Sequence, residues 1–282
     1  MKDITLGQYY PSDSFTHKMD ARVKLVLVVA FIVAVFLAKN FLSYIAVAAC
    51  VICATLVSRI PISKMLKSIK AIIMILIFTG ILNLMFYNGE TVYWSWWRFN
   101  VSLEGIIFSV KMVLRLVLLV MGTTLLTFTT TPTGITDGME SLMSPLKYIK
   151  VPVHDIAVIM SIALRFIPIL SEEVDKIMMA QKARGASFDT GGLVSRAKAL
   201  LPILIPLFVS AFRRADELAL ALDARCYNAT PNRTRYQVMK FGWRDLAGVI
   251  GTAAFIVLVV ALNNNFWGAY QSVEAVWWLF AV

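Results

Sequence analysis

The stretch ARVKLVLVVAFIVAVFLAKNFLSYIAVAACVICATLVSR, residues 21–59, holds two apolar runs, 23–38 and 41–57, parted only by Lys39-Asn40. A helix that crosses a bilayer needs about 20 predominantly apolar residues, and about 17 can suffice. Lipid offers no partner to an unpaired peptide group, so two such runs with so short a break predict a tight helical hairpin in the membrane. Cys50 and Cys53 lie in the second run at i, i+3. Read by spacing alone they resemble a redox or metal pair, but no other Cys or His is near them in sequence, and buried thiols pack as small hydrophobes.

Composition extends this reading to the whole chain. Of 282 residues, 59% are hydrophobic and 16% charged, with a mean hydropathy of +0.74. That balance predicts an all-α integral membrane protein rather than a soluble domain. Lys and Arg number 27 against 17 Asp and Glu, a formal charge of +10. Such an excess suits anionic inner-leaflet lipid or an acidic partner. No base-reading module is visible, so nucleic acid is not an expected partner. The first twenty residues include Lys2, Asp3, Asp13, Lys18 and Asp20, which argues against a cleavable signal peptide.

Three further spans are expected, at 71–87, 103–128 and 246–262, giving five in all. The tail after 262 is apolar but interrupted by Gln271 and Glu274, and is expected to be interfacial or partly inserted. Basic residues cluster in 1–24, 59–70 and 131–240, whereas the alternate loops hold only Lys39 and Arg98. By the positive-inside rule the N-terminus is cytoplasmic. Trp94, Trp96, Trp97, Trp267, Trp277 and Trp278 then fall at the opposite interface, where aromatic belts form. The expected domains are a four-span membrane part at 1–130, a cytoplasmic part at 131–240, and a C-terminal span with its tail at 241–282.

The middle segment differs from the rest. Its apolar runs are short: 156–164 is broken by Arg165, and 200–212 is only about 13 residues. Both sit in longer helical patterns, expected from Val153 to Arg184 and from Leu193 to Arg225, with kinks or short breaks at Pro168, Pro202 and Pro206. Both end alike, the first in Ala183-Arg184-Gly185 and the second in Ala224-Arg225-Cys226. An arginine at a helix C-terminus complements the dipole, which explains either one singly. The repetition at the ends of two long helices suggests instead a pair of contact points.

RLVLLVMGTTLLTFTTTP (115–132), SPLKYIKVPVHDIAVIMSIALRFIPIL (144–170), AQKARGASF (180–188) and ALDARCYN (221–228) together resemble the transmembrane coupling component, or T component, of energy-coupling factor transporters. The resemblance covers nearly the whole chain. It implies that Ala183, Arg184, Gly185, Ala224, Arg225 and Cys226 dock into two cytoplasmic ABC-type ATPase subunits, and that a separate membrane-embedded S component binds the substrate. Cys226 stands where such motifs more commonly have glycine. The resemblance further implies uptake of vitamins or other micronutrients across the cell membrane, by a chain with no catalytic or metal site of its own.

What is missing from the sequence agrees. No Gly-x-x-x-x-Gly-Lys-[Ser/Thr] loop occurs, so ATP is expected on the partners and no cofactor on this chain. His17 and His154 are isolated, and no catalytic triad or ligand cluster emerges. The rival reading is a stand-alone secondary transporter or channel, because Lys111 and Arg115 lie i, i+4 within the fourth span, where ionisable groups are costly and often functional. No carboxylate in the spans pairs with them as a proton relay would need. They are therefore expected to contact the bundle interior or the S component.

Overall fold

The computed structural model describes residues 9–86, 92–96, 99–186, 188, 192–227 and 241–263. Among these residues eight α-helices carry the fold: α1 Ala21–Leu37, α2 Phe41–Val57, α3 Ile62–Phe86, α4 Leu103–Thr129, α5 Pro132–Leu142, α6 Val153–Ala183, α7 Leu193–Ala224 and α8 Trp243–Asn263. It is an all-α membrane protein with one small antiparallel hairpin, β1 Val92–Trp96 and β2 Phe99–Ser102. α1 and α2 follow one another across the short break at 38–40, but they do not close into the expected tight hairpin: each packs on α4 and α8 instead, which hold them apart. Residues 92–96 and 99–102, expected within a loop, form β1 and β2, and Ser102 then caps α4 by accepting from the Gly105 amide at 3.1 Å. Trp97, Trp267, Trp277 and Trp278, with the C-terminal tail, lie outside the described residues.

Several boundaries move. α3 begins nine residues before its apolar run, at Ile62, and takes in Lys64, Lys67 and Lys70. Straight-chain lysines favour helix, so a basic amphipathic turn can lead into an apolar span. α5 was not anticipated. Its start follows helix-initiation chemistry: the Thr131 hydroxyl accepts from the Gly134 amide at 3.1 Å and Pro132 occupies the first turn, where its missing N–H costs nothing. Of the kinks or short breaks expected in α6 and α7, breaks do not occur: both run through their prolines as single helices.

The described chain divides into two compact units, one of 9–145 and 241–263, the other of 146–186, 188 and 192–227. By this division α5 belongs with the membrane helices rather than with the segment that follows, because it packs along α1: a Cβ on Gly138 would lie 3.2 Å from the Ala21 backbone. Val35, Ala38, Tyr44, Val47, Val51, Leu118 and Val259 form the first unit's core, drawn from α1, α2, α4 and α8. Gly122 lets α1 approach α4, its missing Cβ position falling against the Phe31 ring. α3 packs on α4 and leaves Ile73, Met74, Ile77, Phe78 and Ile81 exposed. A water-soluble protein rarely shows so continuous an apolar face; lipid covers it at no cost.

By length and apolarity α3, α4, α6 and α8 suffice to cross a membrane, and α2 is shorter. α6 thus has an apolar window where none was expected to be long enough. The expected break at Arg165 fails because the flanking aliphatic residues outweigh a single arginine over a full window.

A polar clasp closes one end of the first unit. The buried Asp245 carboxylate accepts from the amides of Asp20 and Gly242, each at 2.8 Å. Lys24 Nζ donates to the carbonyls of Thr129 at 3.0 Å and His17 at 3.3 Å. Thr16 donates to Ser58 at 2.9 Å, and Ser58 to the Ala54 carbonyl at 2.6 Å. The start of α1, the end of α2, the end of α4 and the start of α8 therefore meet, as alternating spans require.

Candidate docking tips and the intramembrane cations

α6 and α7 pack side by side and antiparallel in the second unit. The Gln181 amide donates to the Pro202 carbonyl at 3.2 Å. Further along, Glu173 accepts from Ser210 at 3.5 Å and pairs with Arg214 at 3.4 Å. This register puts the C-terminal end of α6 near the beginning of α7. Arg225 then lies roughly 35 Å from Pro202 along α7, at 1.5 Å per residue. Arg184 and Arg225 consequently occupy opposite ends of the helix pair.

The two ends close through the same turn. Arg184 is the C-cap of α6; the Gly185 amide donates to the Lys182 carbonyl at 2.9 Å and the Ala186 amide to Gln181 at 3.0 Å. Arg225 is the C-cap of α7; the Cys226 amide donates to Asp223 at 2.9 Å and the Tyr227 amide to Leu222 at 2.9 Å. Both are Schellman motifs, which need a left-handed residue after the cap. Gly185 supplies it at φ 89° and Cys226 at φ 52°. α2 closes the same way, with Ser58 as cap and Arg59 left-handed at φ 54°. The turn is thus a general terminator of this chain, and what sets the two tips apart is arginine at the cap position. Since backbone amides satisfy the last carbonyls, neither guanidinium is needed for capping. Ala183, Arg184, Gly185, Ala224, Arg225 and Cys226 are all exposed, and neither arginine side chain pairs with a described residue.

Lys111 and Arg115 share a face of α4 but differ in role. Arg115 Nη2 donates to the Ala38 carbonyl at the end of α1, at 3.2 Å, and the guanidinium stands 5.8 Å from the Phe36 ring and 5.9 Å from the Tyr44 ring. It ties α4 to the α1–α2 turn. Lys111, one turn away, is half-buried without a described partner.

His17 sits in the clasp. Its Nε2 lies 2.9 Å from the Tyr10 carbonyl and its Nδ1 2.6 Å from the Ser14 hydroxyl. A carbonyl only accepts, so Nε2 carries the proton and Nδ1 of the neutral ring accepts from Ser14. Burial lowers the His17 pKa below its ordinary value, opposed by the Tyr10 hydrogen bond and assisted by the charge of Lys24. Neither the clasp nor α5 was signalled by hydrophobic periodicity. Thr131-Pro132 was the available cue for α5; a contact such as Asp20 to Asp245 leaves no local trace.

Residues 12–236 match the family model described as cobalt transport protein. A protein of Ruminiclostridium cellulolyticum named energy-coupling factor transporter transmembrane protein EcfT is 45% identical over 94% of this chain and 99% of its own length. Proteins of the same name from Acidaminococcus fermentans and Brevibacillus brevis are 48% and 47% identical, each over 92% of this chain and over 96% and 97% of their own lengths.

Proposed function

Because the chain belongs to the cobalt transport protein family, and with these relatives to the energy-coupling factor transporter transmembrane proteins, we propose that it is the scaffold and energy-coupling subunit of an ATP-driven importer. In this reading Arg184 and Arg225 dock into two cytoplasmic ABC-type ATPase subunits, one each. Those subunits bind and hydrolyse ATP, and a membrane-embedded S component carries the substrate, a vitamin or another micronutrient. The observation that carries it is the pair of matched tips: two long helices, antiparallel, each ending in an exposed arginine that its own helix does not use. A guanidinium can grip a carboxylate with two hydrogen bonds and so hold an angle as well as a position. Two such grips on rigid helices would turn relative movement of the ATPases into displacement of α6 and α7.

The reading places the N-terminus and residues 131–240 in the cytoplasm. α6 is apolar enough to cross, but crossing once would carry Arg184 and the basic α7 to the far side, against the positive-inside rule. An in-plane position at the inner leaflet serves the same apolar face and keeps the charges inside. Leu201, Ile205, Phe208 and Phe212 of α7 are exposed, and lipid or the S component would cover them.

Affinity purification of the tagged protein from native membranes, read by mass spectrometry, should recover two ATPases and a small hydrophobic protein. Arg184→Ala and Arg225→Ala should each weaken ATPase recovery or uncouple hydrolysis from uptake. Loss of one partner of a desolvated charge pair costs about 2–5 kcal/mol, against about 0.3–1 kcal/mol for an arginine that only complements the helix dipole. Arginine-to-lysine variants should rescue poorly. Full ATPase recovery and uptake in both alanine variants would overturn the assignment.

A further inference from the structure

The helices of the first unit do not end at one level. α1 and α2 have 17 residues each, about 25 Å at 1.5 Å per residue, short of a hydrocarbon core about 30 Å thick. α4 has 27, about 40 Å. Arg115 grips the Ala38 carbonyl, and Asn40 Nδ2 in the same turn donates to the Leu262 carbonyl at 3.4 Å. The α1–α2 turn and the end of α8 therefore stand at the level of Arg115, roughly 18 Å below the first residue of α4. α3 rises with α4, as the Ser109 hydroxyl bonds the Gly80 carbonyl at 2.7 Å.

A step results, and it is cationic. Arg115 lies at its foot, Lys111 overhangs it one turn above on the same face, and Lys39 is exposed in the turn. The turn and the last turn of α8 contain no acidic residue. Glu104 of α4 is seven residues beyond Lys111 and has a partner of its own. Arg115 Nε and Asn263 Oδ1 are buried with no hydrogen-bond partner among the described residues. Cations that no described carboxylate neutralises are costly at this depth, and membranes meet them by thinning and by drawing polar headgroups inward.

We propose that this step binds the phosphate of an anionic phospholipid from the leaflet that meets the α1–α2 turn. Arg115 keeps its hold on Ala38 and offers its spare N–H, while Lys111 and Lys39 close on the phosphate oxygens. The short α1 and α2 let the headgroup descend to them, and the acyl chains lie along the side of α4 that faces these two helices. A soluble anion would have the same chemistry but no reason to be held at this depth.

The test uses the full-length protein in nanodiscs of phosphatidylcholine with a minor share of phosphatidylglycerol, followed by mild detergent extraction and native mass spectrometry. Wild type should retain phosphatidylglycerol well above its bulk share. Lys39→Gln/Lys111→Gln, which leaves Arg115 in place, should lower that enrichment by about tenfold or more, at roughly one factor of five per basic residue. Lys39→Arg/Lys111→Arg should keep it, which separates loss of charge from loss of fold. Inorganic phosphate alone should give no thermal protection in detergent, whereas added phosphatidylglycerol should. Equal retention by wild type and the glutamine variant, equal retention of phosphatidylcholine, or full protection by inorganic phosphate would each overturn the proposal.

Discussion

Gly185 and Cys226 hold the same left-handed conformation by unequal means, and the difference is measurable. A side chain in this region costs about 1–2 kcal/mol, a cost that glycine avoids. Nothing lies within 4 Å of the position a Cβ on Gly185 would take, so Gly185→Ala suffers backbone strain alone. Hydrogen exchange at the amides of residues 185 and 186 should quicken in that variant, by up to about tenfold for each 1.4 kcal/mol lost. Cys226→Gly should slow exchange at 226 and 227 while leaving ATPase recovery intact. His17 supports a second expectation. Its pKa is lowered in the fold, so the unfolded chain takes up a proton first as pH falls. Stability from the neutral ring is complete above about 6.5 and declines as pH drops through that value toward the lowered one. Thermal unfolding in detergent from pH 7.5 to 5 should show this decline in wild type and a flatter profile in His17→Gln. The arginines were legible because they recur in a readable setting; the equivalence of Cys226 and Gly185 was not, because φ is fixed by the closing hydrogen bonds and not by residue type.

Among the elements, the close approach of α1 and α4 depends on one missing side chain. A methyl on Gly122 would overlap the Phe31 ring, and overpacking of this kind costs about 1–3 kcal/mol. Gly122→Ala should lower the melting temperature in detergent, and Phe31→Leu should recover much of that loss in the double variant while helping little alone. Helix positions were largely readable, because long apolar runs allow few other structures in lipid: α4 and α8 start within three residues of expectation, and α6 and α7 match to a residue at each end. The failures share a cause. α5 and the basic start of α3 are helical through caps and packing, β1 and β2 form by pairing with each other, and α6 and α7 persist through their prolines because flanking turns carry the helix past one missing amide. None of these leaves a run of apolar residues to count.

For the molecule as a whole, sidedness is the property most open to direct test. With Cys50, Cys53 and Cys226 replaced, a cysteine at Asn88 should react with an impermeant thiol reagent in intact cells, and one at Thr190 only after permeabilisation. The reverse pattern would invert the topology. Alternation of the spans was readable from the distribution of Lys and Arg, but how their ends are fastened was not, because the clasp joins residues as far apart as Asp20 and Asp245. That separation has a consequence for biosynthesis. The amide of Asp20 leaves the ribosome early, and its carboxylate partner emerges only when α8 is made. Until then the Asp20 side chain already caps α1 through the Arg22 amide and Lys24 holds the His17 and Thr129 carbonyls, but the Asp20 amide waits for its partner. Contacts so distant in sequence form last. A chain stopped before α8 would therefore keep the bonds from Thr16 to Ser58 and from Lys24 to Thr129 but lack the one that closes the clasp, leaving its N-terminal segment more open to proteolysis than that of the finished chain.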